Sequence, residues 1–315
     1  MTSVRNPLSV QIGKLELDNP VLVASGTFGF GEEYRELTDL SQLGAICTKA
    51  VTVRPRAGNP PPRICETPAG MLNAIGLQNP GIEMFLREKL PAMREYGVPI
   101  VVNIAGETVG DYEELAAHLE YAEGVSALEL DISCPNVQQR EMQFALYPEL
   151  TREVVAAVRA ATRLPIITKL SPNVTDITQI AQAAQAGGSD ALSLINTLVG
   201  MSIDIQQRRP VLANVTGGLS GPAIRPVAVH MVWEVAQAVD LPIIGMGGIT
   251  SAADALQFIM AGATAIAVGT ANFVEPDVTG RIINDLEAFC QQAGVTRLAD
   301  LIGAAHSSSD VEGLQ

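Results

Sequence analysis

The sequence predicts a single (β/α)8 TIM barrel with long inserted loops over the C-terminal mouth. Three observations support this fold class. Eight short β-branched or apolar runs alternate with longer amphipathic stretches between residues 20 and 270, the pattern of repeated right-handed crossovers. Pro20, Pro99, Pro165 and Pro242 stand just ahead of runs, where a missing N–H harms a strand ladder least. Polar residues gather at the C-terminal ends of several runs. A doubly wound open sheet is the competing arrangement. No boundary between independent domains is visible, so residues 1–305 form the expected barrel domain and 306–315 a loose tail.

The elements follow in order. The residues before Leu15 suit a small hairpin that closes the barrel floor. "PVLVAS" (20–25), "AICTKA" (45–50) and "PIVVNIA" (99–105) are the first three strands. The fourth, "ALELDISC" (127–134), alternates Leu128, Leu130 and Ile132 with Glu129, Asp131 and Ser133 before reaching Cys134. That two-residue period is a half-buried strand, and its polar face is costly to bury without partners. "PIITKLS" (165–171), "ALSLINT" (191–197), "PIIGMGG" (242–248) and "AIAVGT" (265–270) complete the set. Amphipathic stretches such as "YPELTREVVAAVRAATR" and "DITQIAQAAQAGG" supply the helices. Residues 51–83 and 199–223 are rich in Pro, Gly and Asn and too long for ordinary connections; they are candidate binding loops.

Composition removes several classes of function. A hydrophobic share of 47% supports a large core, and 17% charged residues argue against disorder. The net charge of −14 disfavours binding to a nucleic-acid backbone. Cys47, Cys65, Cys134 and Cys290 are scattered, which suits a reducing cytoplasm better than a disulfide framework, a zinc site or an iron–sulfur cluster. His118, His230 and His306 form no local metal motif, so no metal is expected. The N-terminus has no signal-peptide core. Residues 255–274 are uncharged and long enough to mimic a membrane span, but Gln257, Gly262, Thr264 and Gly269 make a buried helix and strand the better reading.

Lys49, Asn103, Asp131, Lys169 and Asn196 lie near the C-termini of five different strands. Alternation puts Cys47 with Lys49, Val101 with Asn103, and Ile167 with Lys169 on common faces. Such groups converge where barrels of this kind place their active sites. Gly247-Gly248 and Gly269-Thr270 follow strands seven and eight, each before a predicted helix, where backbone N–H groups can approach a phosphate. "GMGGIT" lacks GxGxxG spacing, so a Rossmann site is not supported. A phosphorylated cofactor such as a flavin mononucleotide fits these features. So does sugar-phosphate chemistry with Lys169 as a Schiff-base amine.

Longer motifs narrow the choice. "SGTFGFG" (25–31), "TKAVTVRPRAGNPPPRI" (48–64), "MLNAIGLQNPG" (71–81), "ISCPN" (132–136), "KLSPN" (169–173), "INTLVGM" (195–201) and "TGGLSGPAIRPVA" (216–228) resemble dihydroorotate dehydrogenases. The closest likeness is to the FMN-containing catalytic subunit of the two-subunit, NAD-linked class 1B type. Membrane-bound relatives carry an N-terminal lipid-binding extension and a serine base; this sequence shows no such extension and has Cys134.

The resemblance implies oxidation of dihydroorotate to orotate in pyrimidine biosynthesis, with Cys134 removing the C5 proton and FMN, one per chain, accepting the C6 hydride. It implies FMN contacts at Ser25, Lys49, Ala50, Asn103, Asp131, Lys169, Ile195, Gly221, Gly247, Gly248, Gly269 and Thr270. Substrate contacts are implied at Lys49, Asn73, Ala74, Ile75, Gly76, Leu77, Asp131, Asn136, Asn196 and Thr197. It also implies FAD and a [2Fe–2S] cluster in a partner subunit only, a homodimer joined by that subunit into a heterotetramer, and a cytoplasmic, membrane-free setting. The alternatives are a fumarate-linked enzyme, a reductase of uncharged pyrimidines and a flavin-free scaffold barrel. Two departures stand out. Asp131 occupies a position where the family usually has Asn, so it requires a lysine or a proton nearby. "VQQREMQFALYP" lacks the glycines often found in that loop, which implies a less pliant lid over the substrate.

Overall fold

The computed structural model of the chain describes residues 6–132 and 144–307. Eight parallel strands close into a barrel: β1 (Val21–Val23), β2 (Ala45–Cys47), β3 (Ile100–Ile104), β4 (Val125–Asp131), β5 (Ile166–Lys169), β6 (Ala191–Leu194), β7 (Ile243–Met246) and β8 (Ala265–Val268). Each strand pairs with its neighbour in the chain, and β8 closes on β1 through Ile266–Val21 and Val268–Val23. Every strand falls on a predicted run, though β4 begins at Val125, sooner than expected.

The interior is built in layers. Odd strands contribute Leu22, Val101, Ile167 and Ile244, while even strands contribute Ala45, Ala127, Ala191 and Ala265. The register sets each large side chain beside an alanine: Leu22 by Ala45, Val101 by Ala127, Ile167 by Ala191, Ile244 by Ala265. Side chains from alternate strands thus fill a barrel without a pore. Beneath them, the antiparallel hairpin Val10–Ile12 and Leu15–Leu17 adds Val10, Ile12, Leu15 and Leu17 to the same cluster. The expected floor is present.

Helices cover the outside, each apolar stripe facing the barrel. Pro148–Ala161 buries Val154, Val155 and Val158 and has Pro in its first turn, where its missing N–H is harmless. Thr108 and Asp111 form a reciprocal cap on Val109–Leu119; Asp176 caps Ile177–Gly187 and Ser251 caps Ala252–Met260. The uncharged stretch 255–274 divides as expected into the end of helix Ala252–Met260, a turn and β8. Among the described residues no helix is long and apolar enough to cross a membrane.

The two long interruptions are one structure. Ile64–Thr67 and Gly70–Asn73 come from the first, Leu198–Gly200 and Gly217–Ser220 from the second. They assemble into a four-stranded antiparallel sheet in which Met71 pairs with Ser220 and Asn73 with Gly218. His306, which the sequence places in a loose tail, is held: its ring stacks on Trp233 at 3.8 Å and bonds to the Ala261 carbonyl at 2.9 Å. Residues 308–315, and most of the loop expected to form a lid, lie outside the described residues.

Candidate active site

The strand C-termini and the four-stranded sheet enclose a cavity of about 1380 Å³, open mouth included. Ser25, Lys49, Ala50, Asp131, Lys169, Ile195, Gly221, Gly247, Gly248, Gly269 and Thr270 line it. So do Asn73, Ile75, Gly76, Leu77, Asn196 and Thr197. Asn103 and Ala74 differ from expectation: both are fully buried and neither is among the residues lining it. Cys134 and Asn136 lie outside the described residues; Asp131, at the end of β4, is the nearest predicted site residue before them.

Local chemistry fixes the walls. In "MLNAIGLQNPG", Asn79 Oδ1 accepts from the backbone N–H of Thr52 and Gly81, while Nδ2 donates to the Leu77 carbonyl. Gly76 has φ +76°, and a Cβ there would stand 2.6 Å from the Asn59 side chain. Asn173 of "KLSPN" donates to the Thr197 carbonyl at 3.0 Å and accepts from the Val199 N–H at 2.9 Å. It therefore anchors the "INT" segment on the opposite wall.

One corner is made of backbone. Gly248 has φ +71°, and Gly221 supplies a carbonyl close beneath it. Gly269 is different: a Cβ would meet nothing closer than Ala24 at 3.7 Å. The surrounding protein therefore leaves room for a side chain there. The element after Gly269-Thr270 is a single turn, Ala271–Val274. Arg225 stands near this corner but pairs with Asp254 at 2.6 Å, so its charge is already balanced.

Among the described residues, two cations face the cavity. Lys49 is partly buried, and burial together with the Arg63 charge lowers its pKa. Lys169 is nearly sealed, its side chain 5% exposed; Nζ donates to Ser25 Oγ at 2.7 Å and lies 3.6 Å from Glu129 Oε1. Glu129, also buried, accepts from Asn103 Nδ2 at 2.6 Å, Ser193 Oγ at 2.8 Å and Cys47 Sγ at 3.3 Å. Burial opposes its ionisation, yet Lys169 and the three hydrogen bonds outweigh it and hold the carboxyl below its usual range. Burial likewise opposes the Lys169 ammonium, but Glu129 and Asp131 hold its proton more firmly than an ordinary lysine's. The Cys47 thiol is pushed well up by burial and Glu129.

Asn103 Oδ1 is buried with no hydrogen-bond partner among the described residues. An unpaired buried acceptor costs free energy and suits an N–H donor arriving with a ligand. Backbone amides at one end, cations at the other and this acceptor together fit an anionic ligand with a polar ring. Sequence reasoning singled out the polar face of β4 but gave Glu129 no role, and it missed Ser193 and Ser220. Strand parity could have found the first two: Glu129 and Ser193 fall on inward positions of even strands beside Cys47.

Residues 7–290 match the family model described as dihydroorotate dehydrogenase. The chain is 58% identical over 298 residues to a Desulforudis audaxviator protein named dihydroorotate dehydrogenase B (NAD(+)), catalytic subunit, spanning 95% of this chain and 97% of that one. Proteins of the same name from Trichlorobacter lovleyi and Geobacter sulfurreducens are 56% and 53% identical, each over 94% of this chain and 98% and 97% of their own.

Proposed function

The chain belongs to the dihydroorotate dehydrogenase family, and we propose that it oxidises dihydroorotate to orotate in pyrimidine biosynthesis as the catalytic subunit of an NAD-linked enzyme. The observation that supports this most is convergence: one cavity collects nearly all the described residues that the family pattern assigns to flavin and substrate. FMN, when bound, supplies the acceptor for the hydride that leaves C6.

The protein's own groups do the rest. Backbone N–H groups around Gly221, Gly247, Gly248, Gly269 and Thr270 would hold the phosphate. Lys169 holds positive charge at the ring, where charge develops, and Asn103 offers its acceptor. Lys49 attracts the substrate carboxylate. Asn73, Asn136, Asn196 and Thr197 orient the substrate through donors and acceptors. Cys134 removes the C5 proton, which requires a thiolate or a nearby group that helps it ionise. Asp131 accepts a ring N–H beside Lys169.

Electrons leave for NAD through a partner subunit carrying FAD and a [2Fe–2S] cluster, and two catalytic subunits joined by that partner give a cytoplasmic heterotetramer. The fumarate-linked alternative has less support, since the relatives' names specify NAD(+). Asp131 favours one second reading, a reductase of uncharged pyrimidines, because a carboxylate repels an acidic substrate. Anaerobic titration of the FMN-loaded chain decides. Bleaching by dihydroorotate but not by dihydrouracil supports the dehydrogenase, and the reverse supports the reductase. A chain that takes up no FMN is a scaffold.

A further inference from the structure

We propose that Glu129 is a positioning residue for the cofactor site: its carboxylate, one layer below the cavity, fixes Lys169 as the cation and orients the Asn103 amide. This rests on the function proposed above. The layer at issue comes from even strands and contains Cys47, Glu129 and Ser193; the layer above, from odd strands, contains Asn103 and Lys169. Below lies a layer of Leu, Val, Ile and Ala only. The barrel therefore changes from apolar to polar one step before the ligand-contact layer.

Both carboxylate oxygens are used. Oε1 accepts from Asn103 Nδ2 and Cys47 Sγ, and Oε2 accepts from Ser193 Oγ. A carboxylate only accepts, so the Asn103 amide must direct nitrogen toward Glu129. Its Oδ1 is thereby left for the ligand. Lys169 is set by two contacts, Ser25 Oγ at 2.7 Å and Glu129 Oε1 at 3.6 Å.

Stability alone is a poor reason for this arrangement. Replacing a buried ion pair by well-packed apolar groups is often neutral or stabilising. Removing only the carboxylate is different, because it leaves a buried ammonium uncompensated. Besides Glu129, the charged or titratable groups around Lys169 are Asp131 on β4 and the neutral Cys47 thiol on β2. Asp131 sits at the cavity wall, so Glu129 is the only fully enclosed carboxylate among these partners. Without it, burial drives the ammonium toward losing its proton.

Glu129→Gln in the FMN-loaded protein tests this. The midpoint potential of the bound flavin is followed with a chemical reductant from about pH 5 to about pH 9, a span across which burial lowers a lysine's pKa. The expected result is a new inflection in the variant, absent from the wild type. Across it kcat falls by about tenfold or more, while the KM for dihydroorotate is unchanged. Potentials and pH profiles that superimpose on the wild type overturn the proposal. If the single variant does not fold, Glu129→Gln/Lys169→Met decides: recovery of a folded barrel supports the pairing, and failure of both variants overturns it. The potential is measured without dihydroorotate, so it stands apart from the functional test, which fails if substrate does not bleach the wild type.

Discussion

The Thr270 hydroxyl donates to Ser220 Oγ at 2.8 Å. This contact ties the turn after β8 to the sheet over the mouth, joining residues remote in sequence. Ser220→Ala removes the tie without touching the barrel. FMN affinity should fall by about 0.5–1.5 kcal/mol, the worth of one ordinary hydrogen bond. Fluorescence titration of the apoprotein with FMN measures it.

Gly248 and Gly269 should respond differently to alanine. At Gly248 the backbone has φ +71°, and the new Cβ would stand 2.7 Å from the Gly221 carbonyl oxygen. Gly248→Ala should therefore destabilise the apoprotein by about 1–3 kcal/mol. At Gly269 the new methyl makes only ordinary contacts with protein, the closest 3.7 Å. Gly269→Ala should leave the thermal unfolding of the apoprotein in place and weaken FMN binding. Denaturation curves with and without FMN separate the two outcomes.

Acid should act through Asp254. Burial works against its ionisation, but hydrogen bonds from Thr250 and Ser251 and the Arg225 charge hold its carboxyl below the usual range. A depressed native pKa contributes stability above the unfolded value of about 3.9, lost as pH falls through the native value. Asp254→Asn should cost about 1–3 kcal/mol at neutral pH. The mutant and wild-type unfolding curves should then converge on acidification. Curves that stay parallel down to acid pH would rule this out.

Cys134→Ala should retain FMN and lose about 10²–10⁴-fold in the rate of flavin bleaching by dihydroorotate. Stopped-flow absorbance gives that rate, and a variant bleaching at the wild-type rate removes the thiol from the mechanism.

Asp131→Asn restores the residue usual in the family. It should retain catalysis if Asp131 serves as an acceptor paired with a lysine. Complete loss of turnover rejects that simple replacement.

The barrel was legible because each strand carries its own signal: β-branched runs, leading prolines, and polar groups at one end. The alternation Glu129–Asp131 and the pairing of Cys47 with Lys49 placed side chains inside before any contact was known. The sheet over the mouth was not legible. Met71 finds Ser220 across most of the barrel's length in sequence, and neither segment has a pattern that identifies its partner. Asn103 was expected at the wall and is fully buried instead, because parity reports the face of a strand and not the depth. Glu129 had the right parity and no role, since a lone carboxylate gains one only from neighbours on other strands.

The hairpin Val10–Ile12 and Leu15–Leu17 has a kinetic consequence. With the base stoppered by its side chains, the doorway that the described residues leave for small molecules is at the rim. Reactant and product must pass the same threshold, so turnover proceeds by alternation: orotate departs before the next dihydroorotate enters. A soluble oxidant small enough to use that threshold would have to queue with them. An acceptor docked on the outer wall would not.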